Sequence, residues 1–287
     1  YLEFGYTTVQ DGRSDAGAIA SAMAAAESRR LVIDVVSYPD ILQLGDGALA
    51  NKLKFSRSYT NRFRIGGVKL TLDGSPQGKT AWLTEPYLVP PDGQKAGYRG
   101  YGVLSDARVN EQVAKAIHNG WQILVHGNGD AAIDQFIAAV RASGPVEQAR
   151  AVRPVLIHGQ TLRRDQVSQL KELGIFPSLF PMHTFYWGDW HHDSVLGDPR
   201  AQAEEAAILF ANGQDEAVCA VLEKAVGMHR EGPAERLWLM LFDFYRLSGR
   251  RGPFEALGID YARAFEKSPP GWRDRSAAPT KLAELAI

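Results

Sequence analysis

The sequence predicts an α/β fold over residues 1–202, either a (β/α) barrel or a doubly wound parallel sheet. An all-α segment of helical hairpins follows over residues 203–287. Three observations carry this. The first part contains six short, apolar, β-branched runs, as strands buried on both faces of a parallel sheet require. Helical patterns separate these runs, and such alternation builds parallel sheets. After Gln202 the strand-like runs stop and helix-forming stretches follow one another.

The strand-like runs are Thr7–Val9, Leu31–Val36, Ile65–Leu72, Gln122–His126, Pro154–His158 and Ile175–Leu179. Asp106 is placed to cap a helix that runs to about Asn119 and stops at Gly120. Asp130 opens another, with Ile133, Phe136, Ile137 and Val140 on one face. Arg163–Leu173 ends at Gly174 in the same way. In the second part Ala203–Asn212, Asp215–Val226, Ala234–Leu247 and Phe254–Phe265 read as amphipathic helices, punctuated by glycine and proline. Their short connections make antiparallel neighbours, and their small–large apolar alternation is tetratricopeptide-like. Cys219 lies among Val218 and Leu222, which predicts a buried, inert thiol. Arg250-Arg251 reads as a solvated turn.

Composition removes several classes of function. With 45% apolar and 23% charged residues, the 287-residue chain can build a sizeable core. Its 32 basic and 33 acidic residues leave a net charge of -1, so nothing draws it generally to nucleic acid or anionic lipid. Cys219 is the single cysteine and cannot form an internal disulfide. No apolar run approaches the ~20 residues that span a bilayer. The expected partners therefore include neither nucleic acid nor membrane, and the default location is the cytoplasm.

Chemistry concentrates at two matched strand ends. Ile123-Leu124-Val125-His126-Gly127 is a buried strand ending in histidine and a turn glycine, with a helix after it. Val155-Leu156-Ile157-His158-Gly159 repeats the design one βα unit later. Side chains at the C-terminal ends of parallel barrel strands converge on one face, where two imidazoles can bind one metal. The competing reading is that each histidine bonds nearby backbone. Upstream, Lys69 sits inside the apolar strand Val68-Lys69-Leu70-Thr71-Leu72. Turned inward it is costly unless paired or modified, and a lysine carrying CO₂ becomes a carboxylate able to bridge two metal ions. Turned outward it snorkels to solvent. Gly127-Asn128-Gly129-Asp130-Ala131-Ala132 also fits a dinucleotide fingerprint, but the next strand ends in His158-Gly159-Gln160 without the required carboxylate. His191-His192-Asp193 reads as a solvated loop. Trp187 and Trp190 suit either an apolar substrate pocket or core packing.

Val68-Lys69-Leu70-Thr71-Leu72-Asp73-Gly74, then His126-Gly127-Asn128-Gly129-Asp130-Ala131-Ala132, then Arg153-Pro154-Val155-Leu156-Ile157-His158 together resemble the amidohydrolase superfamily. The similarity is greatest to its amidohydrolase-3 type, which includes N-substituted formamide deformylases. Tyr6-Thr7-Thr8-Val9-Gln10-Asp11-Gly12 is similar to an early strand of that group, and Pro181-Met182-His183-Thr184-Phe185-Tyr186-Trp187-Gly188-Asp189 to the loop after its seventh strand. The resemblance covers residues 1–202. It implies a TIM-type barrel that hydrolyses amide C–N bonds with zinc or another divalent metal, one or two ions in the family. Lys69 would be the carboxylated bridging ligand, His126 and His158 metal ligands, and His183 and Trp187 substrate contacts.

The departures set further expectations. The family's first-strand His-x-His pair is expected to precede Tyr1, and no histidine occurs before His118. The eighth-strand aspartate, a ligand and general base, is expected after the His183 loop, where the helical segment begins instead. These departures predict an incomplete TIM-like barrel with impaired hydrolysis of a small-molecule amide. A non-catalytic alternative makes the helical segment a protein-interaction module, with self-association through it or through an open barrel edge.

Overall fold

Seven parallel strands carry the first part of the chain: β1 (Thr8–Ser14), β2 (Asp34–Pro39), β3 (Phe63–Ile65), β4 (Gly67–Thr71), β5 (Gln122–Gly127), β6 (Val155–His158) and β7 (Phe176–Leu179). They belong to a computed structural model that describes residues 1–44, 54–180, 182–197, 215–274 and 276. The chain forms two compact units, Tyr1–Phe180 and Pro181–Ile287. The change of composition at Gln202 and the expected helix Ala203–Asn212 lie outside the described residues.

In the first unit the ladders run β1-β2-β3 and β4-β5-β6-β7, and a parallel bridge between Asp40 and Lys69 links them. Strand order follows chain order among the described strands, which removes the doubly wound alternative and its reversal of order. The run Ile65–Leu72, expected as one strand, is divided at Gly66 into β3 and β4. A Cβ at Gly66 would stand 2.7 Å from both Tyr38 and Val36, so the chain passes there only as glycine.

The connecting helices are α1 (Ala16–Glu27), a single turn α2 (Ile41–Leu44), α3 (Asp106–His118), α4 (Asp130–Ala142), α5 (Val146–Val152) and α6 (Arg164–Leu173). Ser105, rather than Asp106, caps α3, its side chain accepting from Arg108 N at 3.4 Å. Asp106 sits in the first turn, where its charge complements the helix dipole. Gly174 ends α6 at φ 70°, the left-handed turn expected of it.

Strand alternation sorts the side chains into two layers. Val68, Leu70, Ile123, Val125 and Leu156 pack with Val109, Val113, Ile133, Phe136 and Val140 of the helices into the main core. The opposite face gathers Val36, Tyr38, Leu124, Val155 and Ile157. On that face Tyr38 OH, near the end of β2, donates to Gln122 Oε1 at the start of β5 at 2.8 Å. Lys69 and His126 lie on the same face, further along β4 and β5.

Residues 72–105 cross that end without a helix or strand. They are pinned by Val103 N to Leu72 O at 2.7 Å, Leu83 N to Arg99 O at 2.7 Å, and Tyr98 OH to Lys79 O at 2.9 Å.

The second unit opens with α7 (Met182–Trp190), kinked at Trp187, and a π-helical turn His191–Leu196. The solvated loop expected at His191–Asp193 is thus corrected. The wide turn carries His191 inward to 1% exposure, while His192 Nδ1 and Asp193 Oδ1 pair outside at 2.6 Å. Helices α8 (Asp215–Met228), α9 (Glu235–Leu247) and α10 (Arg251–Phe265) enclose Leu222, Leu237, Trp238, Leu241, Phe242 and Tyr261. Cys219 is buried there, and burial beside Glu223 pushes its thiol up to about 11, as an inert cysteine requires. Arg250 is not a bare solvated turn residue: it reaches Cys219 Sγ at 3.2 Å and Glu216 at 2.8 Å. No described helix is long and apolar enough to cross a membrane.

Phe136 is fully buried on the sheet-facing side of α4. Phe136→Ala should therefore cost about 3–5 kcal/mol in urea unfolding. A loss below about 1 kcal/mol would mean that this face is not the core.

Candidate functional site

Strand pairing and a left-handed turn at His158 bring the predicted ligands together. Lys69 pairs with Leu124, Thr71 with His126, and Gly127 with His158, so His126 and His158 stand at the C-terminal ends of β5 and β6, while Lys69 lies on the face of His126 two residues before the end of β4. The His126 and His158 rings meet edge to face, with centroids 4.8 Å apart. Lys69 points inward and is 7% exposed, which settles its orientation against the snorkelling alternative.

All three groups are driven toward their neutral forms. Burial, then the nearby Arg13 charge, lowers the Lys69 ammonium to about 8, with Asp40 opposing. Burial lowers His126, partly offset by its bond to Gly74 O. Burial also lowers His158, to about 4, and the neighbouring His126 and Lys69 add to the shift. Near neutral pH the imidazoles are therefore uncharged, the form in which histidine binds metal. A lysine at about 8 has an appreciable fraction of free amine, the form that can react with CO₂.

The orientation of His126 follows from one carbonyl. Its Nε2 lies 2.9 Å from Gly74 O, which can only accept, so Nε2 carries the proton. Neutral His126 then has Nδ1 as its free donor atom. Asn128 Nδ2 also reaches Gly74 O, at 2.7 Å, and lies 3.1 Å from His126 Nε2. Asn128 Oδ1 is buried without a hydrogen-bond partner among the described residues, an unfilled acceptor next to the imidazole pair.

Asp73 is the site residue that sequence reasoning missed. Its carboxylate accepts from Asn128 N at 3.0 Å, Gly129 N at 2.7 Å and Trp82 N at 3.0 Å. It thereby fills the orphan donors at the start of α4 and fastens the 72–105 connection above the strand ends. Its nearer oxygen is 3.6 Å from His126 Nε2. Burial raises its carboxyl to about 6, although the three backbone donors oppose the shift. Gly129 makes the approach possible, since a Cβ there would fall 1.9 Å from Trp82 O. The signal was an Asp-Gly pair at a strand end, but its partners are backbone groups that no side-chain motif reveals. Beside it, Asp130 takes Thr84 N at 2.9 Å and Arg163 Nη1 at 3.0 Å, tying the connection to α6 as well.

The other predicted residues belong to the second unit. His183 is buried and faces His191, ring centroids 5.2 Å apart, while Trp187 is 41% exposed. Among the described residues no group of three His, Cys, Asp or Glu side chains is placed to hold a metal ion. What the strand ends supply is two neutral imidazoles, a buried amine and an unfilled amide oxygen. This donor set fits a metal only if Lys69 contributes a carboxylate, since zinc sites need at least three protein ligands.

The model of the family described as the amidohydrolase family matches residues 1–229. A Bacillus subtilis (strain 168) protein named as an amidohydrolase, YtcJ, is 29% identical over 158 residues, 53% of this chain and 28% of its own length. A crystal structure of an uncharacterized metal-dependent hydrolase from Pyrococcus furiosus superposes with a TM-score of 0.56 at 26% identity, over 68% of this chain and 38% of that one. Its counterpart from Pyrococcus horikoshii OT3 shares the fold, with a TM-score of 0.55 at 19% identity over 96% of this chain and 56% of that one. The chain thus spans between about a quarter and somewhat over half of these relatives.

Replacing Asp73 tests the clamp. Asp73→Asn keeps the shape but turns one acceptor into a donor facing backbone N–H groups, so it should destabilise by about 1–3 kcal/mol. Urea unfolding of the variant reads this directly, and an unchanged midpoint would show that the clamp contributes nothing.

Proposed function

Because the chain belongs to the amidohydrolase family, we propose that it is a metal-dependent hydrolase of amide C–N bonds, with Lys69, His126 and His158 at the ligand positions. The observation that carries this reading is that two neutral imidazoles at the ends of β5 and β6 adjoin a buried, partly neutral lysine on neighbouring β4. The six-strand arc, with β3 and β4 counted as one interrupted strand, is read as part of a TIM-like barrel. Its active face would then be the C-terminal one, where these residues stand.

In this reading Lys69 holds CO₂ as a carboxylate, and its neutral fraction at mild pH favours that adduct. His126 offers Nδ1, held by Gly74, and His158 offers a ring nitrogen from the neighbouring strand. Zinc or a similar divalent ion, when bound, lowers the pKa of water and polarises the amide carbonyl. His183 and Trp187 are assigned to the substrate, a small-molecule amide such as an N-substituted formamide. The cytoplasm is the proposed location. The 287 residues contain no His-x-His before Lys69. Acting alone they should turn over slowly, because catalytic groups that work as a unit fail together.

A second reading is favoured by the absence of any three-residue cluster of His, Cys, Asp or Glu among the described residues. It makes the chain non-catalytic, with the tetratricopeptide-like α8–α10 segment, or an open barrel edge, binding a protein partner or a second copy.

Elemental analysis after dialysis against zinc separates the two. Under the hydrolase reading, His126→Ala and His158→Ala each lower bound zinc by at least about tenfold. Full zinc retention in the double variant would reject both ligands. Depleting bicarbonate during reconstitution should likewise lower zinc occupancy, and Lys69→Ala should recover part of it with an added short carboxylic acid. Equal zinc in Lys69→Ala and the parent would remove the bridging role. With N-substituted formamides, turnover of about 1 s⁻¹ or more by the 287-residue chain would overturn the expectation of slow catalysis.

A further inference from the structure

We propose that Arg13 is a specificity-determining residue that receives a carboxylate of the substrate, so that the amides accepted at this site are anionic. The proposal rests on the amide-hydrolase reading for the identity of the ligand, while its geometry stands by itself. β1 and β2 pair evenly from Thr8 with Asp34 to Asp11 with Ser37, and the next pair is Ser14 with Pro39. Three steps along β1 thus match two along β2, the signature of a bulge. Bulges bend a strand and re-aim a side chain, and they recur beside active sites. Arg13 is inside this one, directly after Gly12.

The next strands continue the line. Asp40 follows β2 and bridges to Lys69, and His126 and His158 follow on β5 and β6. Arg13 therefore stands one strand beyond Asp40 at the level of Lys69, with His126 two residues further along β5. Asp40, 3% exposed, holds it there: Arg13 Nε donates to Asp40 Oδ2 at 2.9 Å, and Asp40 Oδ1 accepts from Leu42 N at 3.0 Å. Each carboxylate oxygen is engaged once, whereas the terminal nitrogens of the guanidinium are not. Nη1 and Nη2 make no hydrogen bond among the described residues, and the Arg13 side chain is 58% exposed. Two terminal N–H groups fixed in one plane form the fork that binds a carboxylate in bidentate fashion. A pair built only for stability would instead turn that fork onto Asp40.

The test uses N-acetylglycine and its uncharged counterpart N-acetylglycinamide, titrated calorimetrically into the full 287-residue chain, without metal and after zinc loading. The parent should bind the acid about tenfold more tightly than the amide. Arg13→Gln should abolish that preference, and Arg13→Lys should keep part of it, each compared at a temperature where the variant is fully folded by circular dichroism. A preference that survives in Arg13→Gln, or is absent from the parent, overturns the proposal. So does acetate binding as tightly as N-acetylglycine, which would mark a general anion site. If no chain binds zinc or hydrolyses amides while the metal-free preference depends on Arg13, the hydrolase reading fails and the carboxylate site is supported.

Discussion

The contact on which the first unit's working face depends is the buried Asp73 carboxylate. Its three backbone donors come from two separate segments, Trp82 in the long connection and Asn128-Gly129 at the start of α4. One side chain therefore joins the end of β4, the end of β5 and the connection that crosses them. The next residue supplies the carbonyl that selects the protonated nitrogen of His126. Burying a carboxylate without a cationic partner is expensive, and the rise of its carboxyl to about 6 expresses that cost. Three N–H bonds and the positive end of α4 offset it. Position and tautomer of His126 thus trace back to the Asp73-Gly74 dipeptide.

Electrostatics around that dipeptide runs against stability. Lys69, His126 and His158 are packed so that the lysine charge disfavours protonation of both imidazoles, and each of the three is desolvated. The lysine and both imidazoles are thus driven toward the neutral forms that a bound metal would require, with the Asp73 carboxylate 3.6 Å from His126. Asp40, the nearby carboxylate, is committed to Arg13 and to the backbone of Leu42.

Much of this was legible in the residues. All six strand-like runs correspond to strands, because short apolar, β-branched segments have few alternatives in an alternating chain. Helices α8, α9 and α10 start and stop within a few residues of their glycine and proline punctuation. Lys69, His126 and His158 could be found because strand ends in a parallel sheet share a level whatever their sequence separation. Asp73 and Arg13 could not. The first acts through backbone groups, and the second through a one-residue slip of register that composition does not encode. His191 was misread because a π-helical turn changes which side of the chain faces inward, and no period of 3.6 anticipates it.

His158 adds a constraint of another kind. Its φ is 77°, a left-handed conformation that a residue with a Cβ enters at a cost, and Gly159 follows at 57°. The surrounding bonds over-determine this geometry. Gly159 N is held by Gly127 O at 3.0 Å, Thr161 N by Asn128 O at 3.0 Å, and His158 O accepts from Phe180 N at 3.1 Å. With ordinary strand dihedrals, alternation would send His158 to the helix-facing layer with Leu156's neighbours rather than beside His126. The turn brings its ring against His126 instead, at 4.8 Å. A glycine in this place would relax the backbone and lose the imidazole. Strain at that residue type, in that position, is the local cost of pairing the two rings, and it argues that the pairing rather than the strand end is what the sequence maintains.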